Sequence, residues 1–201
     1  MRIGVLASGE GTNLQAILDR LHGRGAIEVV AVGSDKPDAR ALERARAAGV
    51  PARSFEQRGR RERDAAIARW LEESGAQLVV LAGYMQLLGA PFLARFPERV
   101  INVHPALLPA FPGIGAVERA YDHGVKVFGV TVHFVDEGID TGPIIAQRAL
   151  ELPGASSAAE VRAALRPLEH DLLCEAVVMI ASGRVAVEGG RCKVRADDAA
   201  G

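Results

Sequence analysis

An amide and an imidazole stand two residues apart in the segment Asn102-Val103-His104-Pro105. Alternate residues of a strand point to the same side, so Asn102 and His104 would project together if the segment is a strand. An amide can donate a hydrogen bond to a developing oxyanion, and a histidine can transfer a proton near neutral pH. The pair therefore fits catalysis, although an isolated Asn-x-His more often marks a structural histidine beside a turn.

A loop with three carboxylates, Asp136, Glu137 and Asp140, follows the apolar run that contains His133. Asp140 can orient a histidine or favour its charged form, and its alternative role is an Asx turn. If Asp140 lies beside His104, we expect its charge to raise the pKa of His104 above the ordinary value of about 6.5. His133 either lines the same site or fills a polar face of its strand.

The segment Ser8-Gly9-Glu10-Gly11-Thr12-Asn13 precedes a helical pattern. Glycines there allow backbone N–H groups to approach an anion, and the positive end of the helix dipole favours it. Leu14 stands where a dinucleotide-binding fingerprint needs a third glycine, and no Gly-Lys-Ser/Thr follows. The pattern therefore favours a monophosphate over a nicotinamide cofactor. The alternative is a tight turn in which Thr12 or Asn13 caps the helix.

The elements that must hold these residues alternate between short apolar runs and stretches of helical periodicity. This alternation predicts the α/β class with a mainly parallel sheet, whose ligands bind beyond the carboxyl ends of the strands. The predicted strands are 3–7, 27–32, 78–82, 100–103, 127–135 and 144–150. The predicted helices are 13–21, 40–48, 60–74 with Ile67, Trp70 and Leu71 inward, and 157–182 with a break or kink at Pro167.

Composition narrows the class of protein. Lys plus Arg number 24 and Asp plus Glu 25, a net charge of −1 that excludes the basic field of a nucleic-acid binder. No stretch approaches the ~20 apolar residues of a membrane helix. Two cysteines are too few for a disulfide framework, and no ligand spacing indicates a metal site. We expect a cytoplasmic protein with a single domain over 1–195 and a frayed tail over 196–201.

Four segments taken together, 8–17, 80–85, 102–109 and 129–145, resemble the phosphoribosylglycinamide formyltransferase family. The resemblance implies a formyltransferase fold, in which a doubly wound sheet carries helices on both faces and the N-terminal half is Rossmann-like. It also implies 10-formyltetrahydrofolate as co-substrate, no metal, and transfer of the formyl group to the amine of 5-phosphoribosylglycinamide in purine biosynthesis. Both substrates are small molecules, and the resemblance allows a homodimer.

The resemblance also implies roles for individual residues. Asn102, His104 and Asp140 would be catalytic, with Asn102 and protonated His104 stabilising a tetrahedral oxyanion. The residues that bind the phosphoribosylglycinamide would be Gly11, Thr12, Asn13 and Glu169. Those that bind the folate would be Arg60, Met85, Gln86, Leu87, Leu88, Asn102, Asp136, Glu137, Gly138, Ile139 and Asp140.

Other interpretations share parts of this pattern. A formyltetrahydrofolate hydrolase shares the three catalytic residues but resembles a longer chain with a further N-terminal domain, and a methionyl-tRNA formyltransferase resembles one with a basic C-terminal domain. A nucleotide-binding or folate-binding module with an inactive site is the non-enzyme alternative. Within the resemblance, Gln86 stands where many relatives have Arg, Glu10 replaces a frequent Asn, and Ala106 replaces Ser. These departures bear on affinity rather than on reaction type.

Overall fold

The computed structural model describes residues 1–195, and the predicted frayed tail, 196–201, lies outside the described residues. The described strands are β1 (Arg2–Leu6), β2 (Glu28–Ser34), β3 (Ala52–Ser54), β4 (Leu78–Leu81), β5 (Val100–His104), β6 (Val127–Phe134), β7 (Ile144–Glu151), β8 (Val185–Glu188) and β9 (Arg191–Val194). The described helices are α1 (Thr12–Arg20), α2 (Arg40–Ala47), α3 (Arg60–Glu73), α4 (Ala90–Leu93), α5 (Ala116–Asp122) and α6 (Ala158–Ala181).

Seven strands form one sheet in the order β3-β2-β1-β4-β5-β6-β7. The first five are parallel to one another, whereas β6 and β7 are antiparallel to their neighbours. The strand order reverses between β1 and β4, where the crevice of an open α/β sheet opens beyond the strand ends. The predicted α/β class, with a doubly wound and mainly parallel sheet, is confirmed.

Apolar side chains cover both faces of this sheet because successive residues of a buried strand point to opposite sides. In β1, Ile3 and Val5 join a core with α1, α2 and α6, and Leu6 joins a second core with α3 and α4. Trp70 of α3 packs on this second face, with its ring centroid 5.4 Å from that of Phe55. Helices thus lie on both faces of the sheet.

The longest helix, α6, has 24 residues and runs through Pro167 without a break. Of the predicted break or kink at Pro167, the break is therefore wrong. Pro167 lies on the exposed side, where water can hydrate the carbonyl group that loses its intrahelical partner, while buried residues before and after it pack on the sheet. Among residues 1–195 no helix is both long enough and apolar enough to cross a membrane.

Candidate active site

The antiparallel pairing of β5 with β6 places two candidate catalytic side chains, Asn102 and His104, beside a third polar side chain, His133. Asn102 lies directly opposite His133, and His104 lies opposite Thr131. Residues directly opposite each other in a ladder project from the same face, so all four side chains share one side of the sheet. His133 is therefore part of the site, which the sequence had left open.

Asp140 is the point where these side chains meet. It lies in the loop between β6 and β7, and its carboxylate accepts hydrogen bonds from the backbone N–H of Gly113, at 2.7 Å, and from Nδ2 of Asn102, at 3.3 Å. Oδ2 is also 3.3 Å from Nδ1 of His104, and Oδ1 is 3.5 Å from Nε2 of His133. The predicted grouping of Asn102, His104 and Asp140 in space is present in the structure.

The loop that carries Asp140 is shaped by its own residues. Asp140 has a φ of 54°, a conformation that Asp adopts more readily than most residues. Asp136 accepts hydrogen bonds from the Thr141 hydroxyl at 2.7 Å and from the Gly138 N–H at 3.0 Å. A Cβ at Gly142 would overlap the backbone oxygen of Phe134, so only glycine fits there. The side chain of Asp136 thus supports the loop from within.

The hydrogen bonds of His104 identify one of its ring protons. Nε2 lies 2.9 Å from the carbonyl oxygen of Phe111, and because a carbonyl only accepts, Nε2 carries a proton. The other nitrogen faces Asp140. Burial lowers the pKa of His104 below its ordinary value, although the Phe111 carbonyl and the Asp140 charge oppose that effect. The expectation of a raised pKa is wrong, because desolvation of the ring outweighs the carboxylate.

The Asp140 carboxylate behaves in the opposite way. Burial disfavours its charge, but hydrogen bonds from His133 and from the Gly113 N–H, together with the charge of His104, outweigh burial and lower the pKa of Asp140 to about 2. The site therefore holds a carboxylate that stays ionised at every pH at which an imidazole titrates.

The glycine-rich segment lies at the start of α1. Gly11 is the N-cap residue, and no side chain caps the helix, so the alternative in which Thr12 or Asn13 caps it is wrong. The first N–H groups of a helix without a side-chain cap remain open to an anion. Gly11 has a φ of 69°, and a Cβ there would lie 2.8 Å from Cα of Ala41. Glycine is needed here by both the backbone conformation and the contact with α2.

Two residues predicted to bind the same substrate are in contact although they are far apart in the chain. Nδ2 of Asn13 donates to Oε2 of Glu169 on α6 at 3.2 Å. Burial raises the pKa of Glu169, against the effect of this hydrogen bond. Oδ1 of Asn13 is buried and has no hydrogen-bond partner among residues 1–195. The end of α1 and the middle of α6 thus form one polar wall.

The segment predicted to line the folate pocket leaves the carboxyl end of β4, beside β5. Met85 and Leu87 expose 57% and 54% of their surface, which is unusual for such apolar side chains, whereas Leu88 is buried. Arg60 of α3 donates to the carbonyl oxygen of Leu88 at 2.7 Å, so the predicted arginine reaches the segment. Glu137, Gly138 and Ile139 lie in the Asp140 loop and are exposed.

The cavities of the described part of the chain include one beside the Asp140 loop and one away from it. One of about 210 Å³ adjoins Asp140 and is lined by Leu108, Pro109, Pro112, Ile139 and their neighbours. The other, of about 510 Å³, lies between α1 and α6 and contains none of the predicted site residues. Within residues 1–195, no three His, Cys, Asp or Glu side chains are grouped as metal ligands.

Sequence reasoning missed several groups of the site. The Phe111 carbonyl and the Gly113 N–H are backbone groups with no signature in residue type. His133 was not missed, because its alternation with Thr131 in the same strand had already left it as a possible site residue. Ser8 follows β1, Asp35 follows β2, and the two side chains hydrogen-bond to each other at 2.5 Å. They could have been found from the rule that neighbouring parallel strands end at one edge.

Comparison with known proteins points to a single family. The formyl transferase family model matches residues 1–177. The phosphoribosylglycinamide formyltransferase of Bacillus subtilis is 43% identical over 173 residues, which cover 84% of this chain and 89% of that protein. The protein of the same name from Mycobacterium tuberculosis is 43% identical over 191 residues, which cover 94% of this chain and 88% of that one.

Solved structures agree with the sequence comparison. The crystal structure of glycinamide ribonucleotide transformylase 1 from Symbiobacterium toebii superposes with a TM-score of 0.94 at 48% sequence identity. The superposition covers 98% of this chain and 94% of that one. The match of the family model to most of the chain, the curated relatives and the shared fold lead to one conclusion: this chain belongs to the formyl transferase family.

Proposed function

We propose that this protein transfers the formyl group of 10-formyltetrahydrofolate to the amine of 5-phosphoribosylglycinamide in purine biosynthesis. The products are 5-phosphoribosyl-N-formylglycinamide and tetrahydrofolate. The proposal rests on one observation. The Asp140 carboxylate accepts a hydrogen bond from Asn102 and lies 3.3 Å from His104, so the three side chains meet at the end of β5. The names of the closely similar proteins supply the substrate class, since they are phosphoribosylglycinamide formyltransferases.

The phosphate of the phosphoribosylglycinamide is proposed to bind at the N-terminus of α1. Gly11, Thr12 and Asn13 provide backbone N–H groups that no side chain caps. An anion there gains both hydrogen bonds and the favourable helix dipole. Glu169, which already accepts from Asn13, is placed to accept a hydrogen bond from a hydroxyl of the same substrate. Its carboxylate and the helix end would therefore hold two parts of one molecule.

The folate is proposed to bind between the exposed side chains of the 85–88 segment and the Asp140 loop. Met85 and Leu87 offer apolar surface for a flat heteroaromatic ring. Ile139, which exposes 53% of its surface, offers the same from the loop. Exposed apolar surface of this kind is typical of a ligand site. Arg60, half-exposed beside Leu88, adds a cation for an anionic part of the co-substrate.

The proposed reaction is direct acyl transfer. The amine of the glycinamide attacks the formyl carbon, and the carbonyl oxygen becomes a tetrahedral oxyanion. The Asn102 amide and protonated His104 donate hydrogen bonds to this oxygen, which lowers the energy of the transition state. The carbon–nitrogen bond to the folate then breaks, the amine loses a proton, and the folate nitrogen gains one. Ionised Asp140 stabilises the charge of His104 throughout.

The test is an assay of the purified protein with 10-formyltetrahydrofolate, with and without 5-phosphoribosylglycinamide. Folate absorbance should change only when the amine is present, and mass spectrometry should find the formylated product. His104→Ala should abolish this turnover, whereas His22→Ala, outside the site, should not affect it. Turnover without the amine would instead identify a formyltetrahydrofolate hydrolase, and binding without turnover would identify a non-catalytic module.

We also propose that residues 1–195 form a single domain in a cytoplasmic protein. The first proposal is supported by a sheet whose two cores draw on helices from α1 to α6. The second is supported by Cys174 and Cys192, which are both free thiols. The homodimer stays a prediction, and analytical ultracentrifugation across a range of concentrations tests it.

A further inference from the structure

Three side chains of α3 hold the backbone of the neighbouring 85–89 segment. Arg60 donates to the carbonyl oxygen of Leu88 at 2.7 Å, and Arg63 donates to that of Leu87 at 3.4 Å. The carboxylate of Asp64 accepts a hydrogen bond from the N–H of Gly89 at 2.8 Å. Two consecutive peptide units, 87–88 and 88–89, are therefore tied to the first turns of one helix.

Arg63 is the member of this group that costs most to bury. Only 7% of the residue is exposed, and its guanidinium lies 3.2 Å from the equally buried carboxylate of Asp64. Its Nε is buried and has no hydrogen-bond partner among residues 1–195. A buried charge is tolerated only when it is paired and hydrogen-bonded. A buried arginine at position 63 therefore indicates a hydrogen bond that an uncharged side chain would not make.

That contact is with Gln86. The second terminal nitrogen of Arg63 donates to Oε1 of Gln86 at 3.2 Å, which leaves the amide nitrogen to donate to Asp35 at 2.9 Å. Asp35 also accepts from the Ser8 hydroxyl, and the same hydroxyl accepts from the N–H of Met85 at 2.8 Å. A continuous series of hydrogen bonds thus runs from Arg63 to both ends of the 85–89 segment.

We propose that Arg63 is a positioning residue for the folate co-substrate. Its buried guanidinium, between Asp64 and Gln86, fixes the 85–89 segment in the shape that presents Met85 and Leu87 to the ligand. Arg63 need not touch the folate, because it acts through the backbone and side chain of the segment. This inference rests on the proposed function, since it takes the exposed face of the segment to be the folate-binding surface.

The first test replaces the cation and keeps the apolar stem. Arg63→Met should raise the KM for 10-formyltetrahydrofolate about 10- to 100-fold, the range expected from losing hydrogen bonds of a charged group. The KM for 5-phosphoribosylglycinamide and the kcat should change by less than about 3-fold, because the groups that bind the amine and the oxyanion lie on other elements. Arg69→Met, on the exposed side of α3, is the matched control and should behave as wild type.

The second test moves the cation. Gln86→Arg alone places a second guanidinium beside Arg63 and should also raise the KM for the folate. In the Arg63→Met background, the same change brings a cation near Asp35 and Asp64, and should restore a KM within about 5-fold of wild type. A substitution that harms one background and repairs the other cannot result from a general loss of stability.

The outcomes separate the two proposals. Equal rises in both KM values, or no rescue by Gln86→Arg in a folded double variant, would overturn the role of Arg63. If wild type has no transferase activity, the proposed function fails, and hydrogen exchange still tests the positioning. The N–H groups of Met85 and Gly89 should exchange faster in Arg63→Met than in Arg69→Met. If Arg63→Met does not fold, Arg63→Lys, which keeps a charge with fewer donors, should show the same selective KM effect.

Discussion

Oδ2 of Asp140 lies 3.3 Å from Nδ1 of His104, on the ring edge opposite to the one that meets the Phe111 carbonyl. Both ring nitrogens therefore face acceptors, and only the doubly protonated ring can donate to both. Burial works against that cation and lowers its pKa. Burial therefore reduces the protonated fraction of His104 near neutral pH, and the carboxylate beside it offsets part of that loss.

Asp140→Asn keeps the shape of the side chain and removes the charge. Because Asp140 opposes the effect of burial, its loss should lower the pKa of His104 further. His104 would then lose its proton at a lower pH, so the alkaline fall in kcat should shift downward and the rate at pH 7 should drop. Part of the loss should return in acid, where His104 is protonated without help. The measurement is kcat against pH for both enzymes.

Protonation of the Asp140 carboxylate should not limit activity over the pH range in which His104 titrates. With its pKa at about 2, Asp140 is ionised throughout the titration of His104. NMR titration of the His104 ring is the independent check. If the ring titrates identically in wild type and Asp140→Asn while activity is lost, Asp140 acts by another route, such as ordering a water molecule.

Asn102→Ala removes one donor to the oxyanion. Loss of such a donor typically lowers turnover about 100- to 1,000-fold, and we expect a fall of that size in kcat with a native circular dichroism spectrum. Asn102 also donates to Asp140, so the variant should be compared with Asn102→Asp, which keeps the shape without the amide donors. A folded Asn102→Ala enzyme with unchanged kcat would rule out the oxyanion role.

Asn13→Ala makes the same substitution at the only other asparagine of the chain. It removes the hydrogen bond to Glu169 and leaves that half-buried carboxylate without this donor. We expect the KM for 5-phosphoribosylglycinamide to rise about 5- to 100-fold, in line with the loss of one hydrogen bond to a charged group. Steady-state kinetics with each substrate varied in turn test this. A comparable rise in the KM for the folate would contradict the assignment.

Thr131→Val tests how the loop beyond β5 is held. The buried hydroxyl of Thr131 donates to the Ala106 carbonyl at 2.7 Å and accepts from the Leu108 N–H at 3.1 Å. Valine leaves both groups unpaired, so the free energy of unfolding should fall by about 1–3 kcal/mol. Since this loop continues to Phe111 and Gly113, kcat should fall as well. Urea denaturation and kinetics measure the two effects, and Thr131→Ser, which keeps the hydroxyl, should be milder in both.

The Gly11→Val variant is a less selective probe than the phosphate-site motif suggests. The motif alone predicts a rise in the KM for 5-phosphoribosylglycinamide. The structure adds a positive φ and a Cβ that would press against the backbone of Ala41. The change would therefore displace α2 as well as block an anion, which makes Asn13→Ala the sharper test of this site.

The long elements of the fold could be predicted from the sequence because their periodicity is strong. The short ones could not, since β3 has three residues and α4 has four, too few for a pattern to repeat. The β8–β9 hairpin was also missed, because each of its strands has only four residues and none of those residues is fully buried. The break predicted at Pro167 was wrong because local propensity does not include the packing on either side of it.

The candidate site was predictable where residue type and strand parity coincide, as for Asn102 and His104. Burial was not predictable, and burial decides the pKa of His104. The sequence also contained an indication that Arg63 is buried, but the charge of its side chain favoured the opposite interpretation. It stands four residues before Ile67 and therefore on the inward stripe of α3, but an arginine in a charged helix is usually assigned to solvent.

The packing of Trp70 on Phe55 has a practical consequence. Trp70 is the only tryptophan of the chain and lies on α3, two turns after Arg63. Its fluorescence therefore comes from a single indole on the helix that holds the proposed folate-binding segment, while the proposed anion site at α1 lies on the opposite face of the sheet. The emission wavelength and lifetime of Trp70 can therefore report, without an added label, on changes at the face of the sheet that α3 covers.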